Sequence, residues 1–418
     1  MDLYEGVPKN GTLETPKEAI PADVFNLAVD SVDDFWNSEF MRDFRMRMVR
    51  GDYISNCRHC HYLEDIGLSS KRLSKNKRFA KLADQLIQEC IEKEGRIDAV
   101  PRWWEVRLST ICNLACRMCT PHLSTRFYDE IKANPESSLT PKLAQVDAAA
   151  KYGYLSKSLP FRTSLMQALP KIEILEIRGG ELFADEAALS ILEEISLTPY
   201  AGKIHFDLSS NITLLKDKHL EILNRFRSGD IRASIDGFGA ENEFIRYGSR
   251  WGVIEKNLLR VQKLHPLWSK KIQVTITVYQ ALTIDKLLRY VDSLCLQNGF
   301  EFDFSFSAVR DTPYQAHELI PRALRLESAE RVESFRLTSH LCQNSSRKNS
   351  HNASIDSLIA CLKSAEEPTT EDFESFLRYD STLNSMRKTS TLEVFPHLNF
   401  LFQTKQTAKM GELNALPS

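Results

Sequence analysis

Three cysteines lie close together at Cys112, Cys116 and Cys119, in the stretch CNLACRMC. Their spacing is C-x3-C-x2-C, and no fourth cysteine lies nearby. Thiolates are soft ligands that suit iron–sulfur clusters and zinc, but a structural zinc site normally takes four protein ligands. Three thiolates on a [4Fe-4S] cluster would leave one iron open to a substrate or cofactor. A zinc site completed from elsewhere in the chain, or a chance grouping of thiols, is the alternative interpretation.

The elements around this motif alternate between strand and helix character. Short runs of apolar and β-branched residues predict six strands: WWEVRLS at 103–109, IEILEIR at 172–178, KIHFDLS at 203–209, IRASI at 231–235, KIQVTITV at 271–278 and FEFDFSFS at 300–307. Strands that alternate with helices indicate a parallel sheet in an α/β fold. Functional residues of such folds gather in the loops after the carboxyl ends of the strands. The three cysteines occupy the first of these loops, which favours a cofactor site over a chance grouping.

Composition and charge narrow the class of protein. The 418 residues are 42% hydrophobic, enough for a full-sized core, and the net charge is −2. So small a charge argues against duplex nucleic acid or an anionic membrane as a partner. The stretch MDLYEGVPKN lacks a signal-peptide pattern, and no apolar run approaches the ~20 residues of a membrane helix. We therefore expect a cytoplasmic protein.

The cysteine motif and its position resemble those of the radical S-adenosylmethionine (SAM) enzymes. In that family C-x3-C-x2-C follows the first strand of a TIM-like partial (β/α)6 barrel, and SAM chelates the remaining iron of a [4Fe-4S] cluster. Met118 stands where the family usually has an aromatic residue. The resemblance implies that the reduced cluster cleaves SAM to a 5′-deoxyadenosyl radical, which abstracts hydrogen from a substrate. It also implies an electron donor such as flavodoxin or ferredoxin.

The ends of the later strands resemble the SAM-binding segments of the same family. RGGEL resembles its GGE motif, LSSN ends in a polar residue like one that contacts the ribose, and ASIDGFGAENEFIR resembles a segment of the SPASM and twitch subgroup. The resemblance implies contacts to SAM from Gly179, Gly180, Glu181, Asn211, Ser234, Arg246 and Val278. The alternatives are a simple strand-to-helix turn for the glycines, a turn residue for Asn211 and a core residue for Val278.

Both flanks of the predicted barrel also resemble the twitch subgroup, in CRHCHYLEDIGLSSKR at 57–72 and YDSTLNSMRKTSTLEVFPHL at 379–398. We expect an N-terminal helical region at 1–100, a radical SAM partial barrel at 101–310 and a C-terminal twitch-like extension at 311–418. A long segment between the first two strands, about 120–170, could cover an active site.

Four more cysteines could form an auxiliary metal site. Cys57 and Cys60 form a second C-x2-C, and Cys342 and Cys361 lie in the predicted extension. Because SPASM and twitch domains generally carry auxiliary clusters, we predict that these four thiolates converge on a [4Fe-4S] cluster or zinc. Free thiols that bind nothing are the alternative. Cys90 and Cys295 fall in amphipathic helical patterns and are predicted to be core thiols.

The sequence identifies neither a substrate nor a catalytic acid or base. Because many SPASM and twitch relatives modify peptides or protein side chains, the resemblance implies a peptide substrate. A small metabolite such as a nucleotide sugar or carbohydrate derivative is the alternative, and a non-catalytic iron–sulfur or zinc-binding sensor is a third. Four polar residues could face the cavity without an assigned role: Tyr128, Asp303, Arg310 and Tyr314.

Overall fold

The computed structural model describes residues 25–65, 70–143, 154–309 and 312–403. The chain divides into two compact units, residues 1–102 with 152–172, and residues 103–151 with 173–418. The helices described after residue 311 belong to the same unit as the sheet. The predicted boundary near residue 310 stays a prediction. Arg310 and residues 144–153 of the segment expected to cover the site lie outside the described residues.

The described helices are numbered here in chain order. They are α1 (Val32–Trp36), α2 (Glu39–Arg50), α3 (Arg58–Asp65), α4 (Lys71–Arg78), α5 (Ala80–Glu92), α6 (Thr125–Lys132), α7 (Leu159–Ala168), α8 (Glu186–Ser196), α9 (Asp217–Leu223), α10 (Ala240–Ile245), α11 (Trp251–Arg260), α12 (Ile284–Asn298), α13 (Arg322–Thr338), α14 (His340–Gln343), α15 (Lys348–Leu362), α16 (Thr370–Arg387) and α17 (Thr391–Val394). None of these helices is both long and apolar enough to cross a bilayer.

The first unit is helical in its described part. Helix α2 begins after Ser38, whose hydroxyl accepts the N–H of Met41, and it ends at Gly51 in the left-handed conformation. The buried Arg45 on this helix donates to the carbonyl of Gly95 at 2.7 Å, which joins α2 to the turn after α5. Cys90 is buried on α5 with its sulfur 3.8 Å from that of Met46, so its prediction as a core thiol is confirmed.

The second unit contains a six-stranded parallel sheet. The strands are β1 (Trp103–Arg107), β2 (Ile174–Arg178), β3 (His205–Ser210), β4 (Ser228–Ser234), β5 (Trp268–Ile276) and β6 (Asp303–Ala308). Each strand pairs with the next one in the chain, so β1 and β6 form the two edges of the sheet. This consecutive order is that of an unclosed (β/α)6 barrel and not that of a doubly wound sheet. The predicted α/β fold and all six predicted strands are confirmed.

The two faces of the sheet differ in polarity. On β5 the side chains of Ile272, Val274 and Ile276 are fully buried in the apolar core. The opposite face carries charged side chains, among them Asp230, whose carboxylate lies 2.7 Å from the ammonium of Lys271.

A small histidine and aspartate group also lies on the charged face, at His205, Asp207 and Asp230, with possible metal-ligand atoms within 4.8 Å of one another. Arg232 approaches both aspartates, at 3.5 and 3.3 Å. We therefore interpret the group as part of an ion-pair network.

The helices after β6 form a second core within the same unit. Helix α15 packs against β6 and against α13. Arg325 on α13 is fully buried, and its guanidinium donates to the carbonyls of Ile320, Leu362 and Ser364. Carbonyl oxygens thus satisfy this buried cation in place of water. Cys295 on α12 is 1% exposed, which confirms it as a core thiol.

Candidate active site

A cavity of about 230 Å³ lies at the carboxyl ends of the first four strands. Its walls include the three cysteines of the CNLACRMC motif. They also include all the predicted SAM contacts except Val278, namely Gly179, Gly180, Glu181, Asn211, Ser234 and Arg246. The remaining wall residues of the described chain are Met118, which lies within the cysteine motif, and Leu123, Ser209 and Ser210, which sequence reasoning missed. Segments far apart in sequence therefore meet in one small space.

The cysteine loop, residues 112–119, supplies three closely placed thiols. Burial raises the pKa of all three thiols, and the neighbouring thiols add to this for Cys112 and Cys119, so that the pKa of Cys112 is raised to about 12. As thiolates, the three groups in this cavity wall would repel one another, so they require a bound cation to share their charge. Metal binding supplies that cation and displaces the protons. The donor set therefore fits a thiolate-ligated metal centre.

The glycine pair brings the loop after β2 against the cysteine loop. Gly179 and Gly180 have positive φ angles of 79° and 54°. A Cβ atom on Gly180 would lie 2.3 Å from the carbonyl oxygen of Ile111, which no real contact allows. The N–H of Glu181 donates to the same oxygen at 2.7 Å. The glycines therefore form a turn and, by the same geometry, place Glu181 in the cavity wall.

Glu181 is a buried carboxylate with three donors from the protein. Its Oε1 accepts from the hydroxyl of Ser210 at 2.8 Å and from the N–H of Phe183 at 3.3 Å, and Oε2 accepts the N–H of Asn211 at 2.7 Å. Burial raises the pKa of Glu181, while these hydrogen bonds act in the opposite direction. A carboxylate has about four acceptor positions, so one remains for a donor from a ligand.

Asn211 belongs to an amide network that joins β3 to the cysteine loop. Its Nδ2 donates to Oδ1 of Asn113 at 3.0 Å, and its Oδ1 accepts from the N–H and hydroxyl of Thr213. Asn113 in turn donates to the Thr213 hydroxyl at 2.8 Å. Sequence reasoning missed Asn113, although it lies inside the cysteine motif. An asparagine between two cysteines does not indicate a role until the partner of its side chain is known.

Arg246 places a largely buried cation in the wall of the cavity. Its Nε lies 2.7 Å from Oδ2 of Asp236, and its Nη1 lies 3.9 Å from the sulfur of Cys116. Burial lowers the pKa of Arg246, but Asp236 and Cys116 outweigh burial and leave that pKa raised. Asp236 is fully buried and also accepts the N–H of Thr275 at 2.8 Å. Asp236 was not among the contacts predicted from the sequence, although its carboxylate fixes the position of Arg246.

Several candidates lie away from this cavity. Val278 is fully buried, and its N–H donates to the carbonyl of Gln315 at 2.9 Å. Asp303 pairs with Arg347 at 2.7 Å. The ring of Tyr314 packs on that of Tyr379, with centroids 5.0 Å apart. These three residues and Tyr128 on α6 are not among the cavity walls.

The four cysteines of the predicted auxiliary site belong to different units. Cys57 and Cys60 lie in the first unit, and Cys342 and Cys361 lie in the second. Cys342 is buried on α14, and the sulfur of Cys361 lies 3.4 Å from Nε2 of His317. Burial lowers the pKa of His317, but contacts with Cys361 and Glu318 outweigh it and raise the value to about 10. Convergence of the four thiols on one metal stays a prediction.

Comparisons with known proteins found no matching family model and no matching curated protein. Among solved structures, polyhistidine-tagged anSMEcpe with bound AdoMet aligns at 17% identity and a TM-score of 0.40, over 57% of this chain and 61% of that one. Streptococcus suis SuiB bound to S-adenosylmethionine aligns at 16% identity and a TM-score of 0.39, over 71% and 63% of the two chains. This chain thus covers less than two thirds of each of these structures.

Proposed function

We propose that this protein is a radical SAM enzyme, with a [4Fe-4S] cluster on Cys112, Cys116 and Cys119 and SAM bound beside it. One observation carries the proposal, namely the cavity at the strand ends, where the three thiols lie with Glu181 and Arg246. These groups come from loops after three different strands. The C-x3-C-x2-C spacing alone does not require these groups to lie together. The cavity therefore supports the proposal independently of the motif.

The chain's own residues divide the binding of SAM between them. The remaining acceptor position of Glu181 suits the ammonium group of SAM, and the guanidinium of Arg246 suits its carboxylate. Ser234 and Asn211 present polar groups for the ribose hydroxyls, and Met118 and Leu123 add apolar wall that excludes water. When bound, the cluster supplies the electron for reductive cleavage of SAM. A non-catalytic sensor would not need a carboxylate and a guanidinium placed to bind the ammonium and carboxylate groups of SAM.

For the substrate we propose a peptide or a protein side chain, and for the electron donor a flavodoxin or ferredoxin. The resemblance of the flanking segments at 57–72 and 379–398 to the twitch subgroup supports the peptide class. A small metabolite such as a nucleotide sugar is the alternative substrate, and trials of both classes with the loaded enzyme would separate them.

Anaerobic reconstitution with iron and sulfide, followed by reduction with dithionite in the presence of SAM, tests the proposed chemistry. We expect the wild-type protein to form 5′-deoxyadenosine and the variant with Cys112→Ala, Cys116→Ala and Cys119→Ala to form none, because its ligands are gone. The product is measured by liquid chromatography and mass spectrometry. Cys295→Ala removes a core thiol away from the cavity and should keep both cluster and product. Iron binding and SAM cleavage by the triple variant would contradict the proposal.

A further inference from the structure

The cysteine loop has no regular secondary structure of its own. No helix or strand includes residues 108–120, although Cys116 and Cys119 must hold fixed positions to share one cluster. Such a loop takes its shape from contacts with other parts of the protein. We infer that three residues outside the ligand set, Arg117, Asp380 and Arg387, are positioning residues that hold the loop in its metal-binding shape. The inference rests on the proposed cluster and goes beyond it.

Arg117 lies between two of the ligands and points into the C-terminal helices. Its side chain is fully buried, and Nη1 donates to Oδ1 of Asp380 on α16 at 3.1 Å. Its Nη2 donates to Oδ1 of Asn384 at 2.6 Å and to the hydroxyl of Thr389 at 3.2 Å. A buried guanidinium needs acceptors in place of water, and here a carboxylate, an amide oxygen and a hydroxyl on or just after α16 supply them. The direction of the loop between Cys116 and Cys119 is therefore set by α16.

Helix α16 also holds the loop backbone on both sides of Cys116. The hydroxyl of Tyr379 donates to the carbonyl of Arg117 at 2.7 Å. One residue before Cys116, the carbonyl of Ala115 accepts Nη2 of Arg387 at 2.8 Å. The amides of the same two loop residues donate to the carbonyls of Tyr247 and Ile245. The peptide groups that flank Cys116 thus have fixed partners, and α16 supplies the donors to both carbonyls.

The supporting residues are themselves fixed by further contacts. Asp380 is fully buried and also accepts from the hydroxyls of Tyr279 at 2.9 Å and Thr391 at 2.7 Å. The guanidinium of Arg387 binds both carboxylate oxygens of Glu130 on α6, at 2.8 and 2.7 Å. Each buried cation is matched by one carboxylate, so the charges of the network balance without a ligand. This balance favours a positioning role over direct contact with SAM or substrate.

Arg325 provides a matched control because it is also a fully buried arginine in the same unit. Its guanidinium donates to carbonyls away from the cysteine loop and lies 4.0 Å from the carboxylate of Glu367. The experiment compares Arg117→Lys and Asp380→Asn with Arg325→Lys after anaerobic reconstitution. Iron and sulfide per chain, the electron paramagnetic resonance spectrum of the reduced cluster and the melting temperature of the metal-free protein are measured. A general loss of stability lowers the melting temperature in all three variants, whereas loss of positioning changes the cluster in only two.

We expect Arg117→Lys and Asp380→Asn to lose more than half of the iron and sulfide and to change the spectrum of what remains. Asp380→Glu, which keeps the charge, should recover part of the loading, and Arg325→Lys should load like the wild type. Full loading with an unchanged spectrum in both test variants, or an equal loss in Arg325→Lys, would overturn this inference alone. Failure of the wild-type protein to assemble any cluster would overturn the proposed function and this inference with it.

Discussion

Glu181 and Arg246 place opposite charges in the wall of one small cavity. Arg246 already pairs with Asp236, but a ligand that carries an ammonium and a carboxylate a few atoms apart could contact both Glu181 and Arg246, whereas a simple anion or cation could contact only one of them. Because little water reaches these groups, their interaction with such a ligand would be stronger than in bulk solvent. If the proposed function holds, the pair would select for the amino-acid part of SAM and not for its base or sugar.

The variant Glu181→Gln tests this selection. It keeps the size of the side chain but removes the charge, so we expect SAM affinity to fall by about tenfold or more, since a hydrogen bond to a charged group contributes ~1.5–3 kcal/mol. Iron content should not change. Equilibrium dialysis of SAM against the anaerobically reconstituted protein measures the effect. Glu176→Gln alters another buried carboxylate, one outside the cavity walls, and should bind SAM like the wild type. Equal affinities in all three proteins would contradict the assigned role.

Gly180→Ala tests the contact between the β2 loop and the cysteine loop. The added methyl would meet the carbonyl of Ile111, so we expect a loss of about 3 kcal/mol of stability and most of the bound iron. Gly299→Ala is the control, because Gly299 also has a positive φ but no atom within 4 Å of the added Cβ. The control should lose about 1 kcal/mol and keep its iron. Denaturant unfolding measures the stability of both variants, and iron analysis measures their metal content. Equal iron in both variants would argue against a requirement for the close contact between Gly180 and the carbonyl of Ile111.

Among the elements, strand β4 shows where sequence patterns reach their limit. Its prediction began at residue 231, whereas β4 begins at Ser228 and continues the pairing with β3 through Gly229. Polar residues and a glycine lower the strand propensity of SGD. The glycine is required there because a Cβ atom would lie 2.2 Å from the carbonyl oxygen of Phe206 on β3 and 2.6 Å from the ring of Trp268 on β5. Only knowledge of these two neighbours explains the residue.

Helix α16 shows that sequence patterns can also fail to indicate residues with a functional position. Asp380, Asn384 and Arg387 are spaced along one face of the helix, a pattern that is typical of a solvated surface. The structure buries Asp380 and Arg387 against the cysteine loop. The three cysteines and most of the cavity wall were predictable because each follows a recognisable strand. The partners of Arg117 were not, because they lie more than 260 positions away and form no local motif.

Helix α9 carries a histidine whose titration should affect stability. His219 is buried, its ring stacks on Phe183 with centroids 4.6 Å apart, and its Nδ1 accepts the N–H of Lys216. Burial, with Lys218 and Lys216 nearby, lowers the pKa of His219 to about 4. The unfolded chain, with a histidine pKa near 6.5, binds more protons between these two values. Stability should therefore be full above pH 6.5 and fall as the pH is lowered towards 4.

We expect His219 to account for about 1–2 kcal/mol of stability lost between pH 7 and pH 5. His219→Gln retains an acceptor for the Lys216 N–H but does not titrate, so its unfolding free energy should fall less over that range. Urea unfolding at both pH values measures the difference. If wild type and variant lost the same stability on acidification, the histidine would not be the titrating group.

At the scale of the whole molecule, the sheet and the helices after it form one unit. The parallel sheet could be predicted because alternation of strands and helices is a local pattern with few topological solutions, whereas the consecutive strand order was implied only by the family resemblance. The division of the chain into units could not be predicted, since residues 152–172 join the first unit although they lie between two strands of the second. Membership of a unit depends on which apolar faces pack together, and composition along the chain does not indicate this.

The long separation between Arg117 and Asp380 has a consequence for biosynthesis. A ribosome that adds roughly 5–20 residues per second releases the cysteine loop well before α16 exists. The 263 positions between the two residues then correspond to a delay of roughly ten to fifty seconds. During this interval the nascent chain displays three closely spaced thiols without the helix that orders them. Iron delivery is therefore expected after release from the ribosome, and the emerging chain needs protection from oxidants until then.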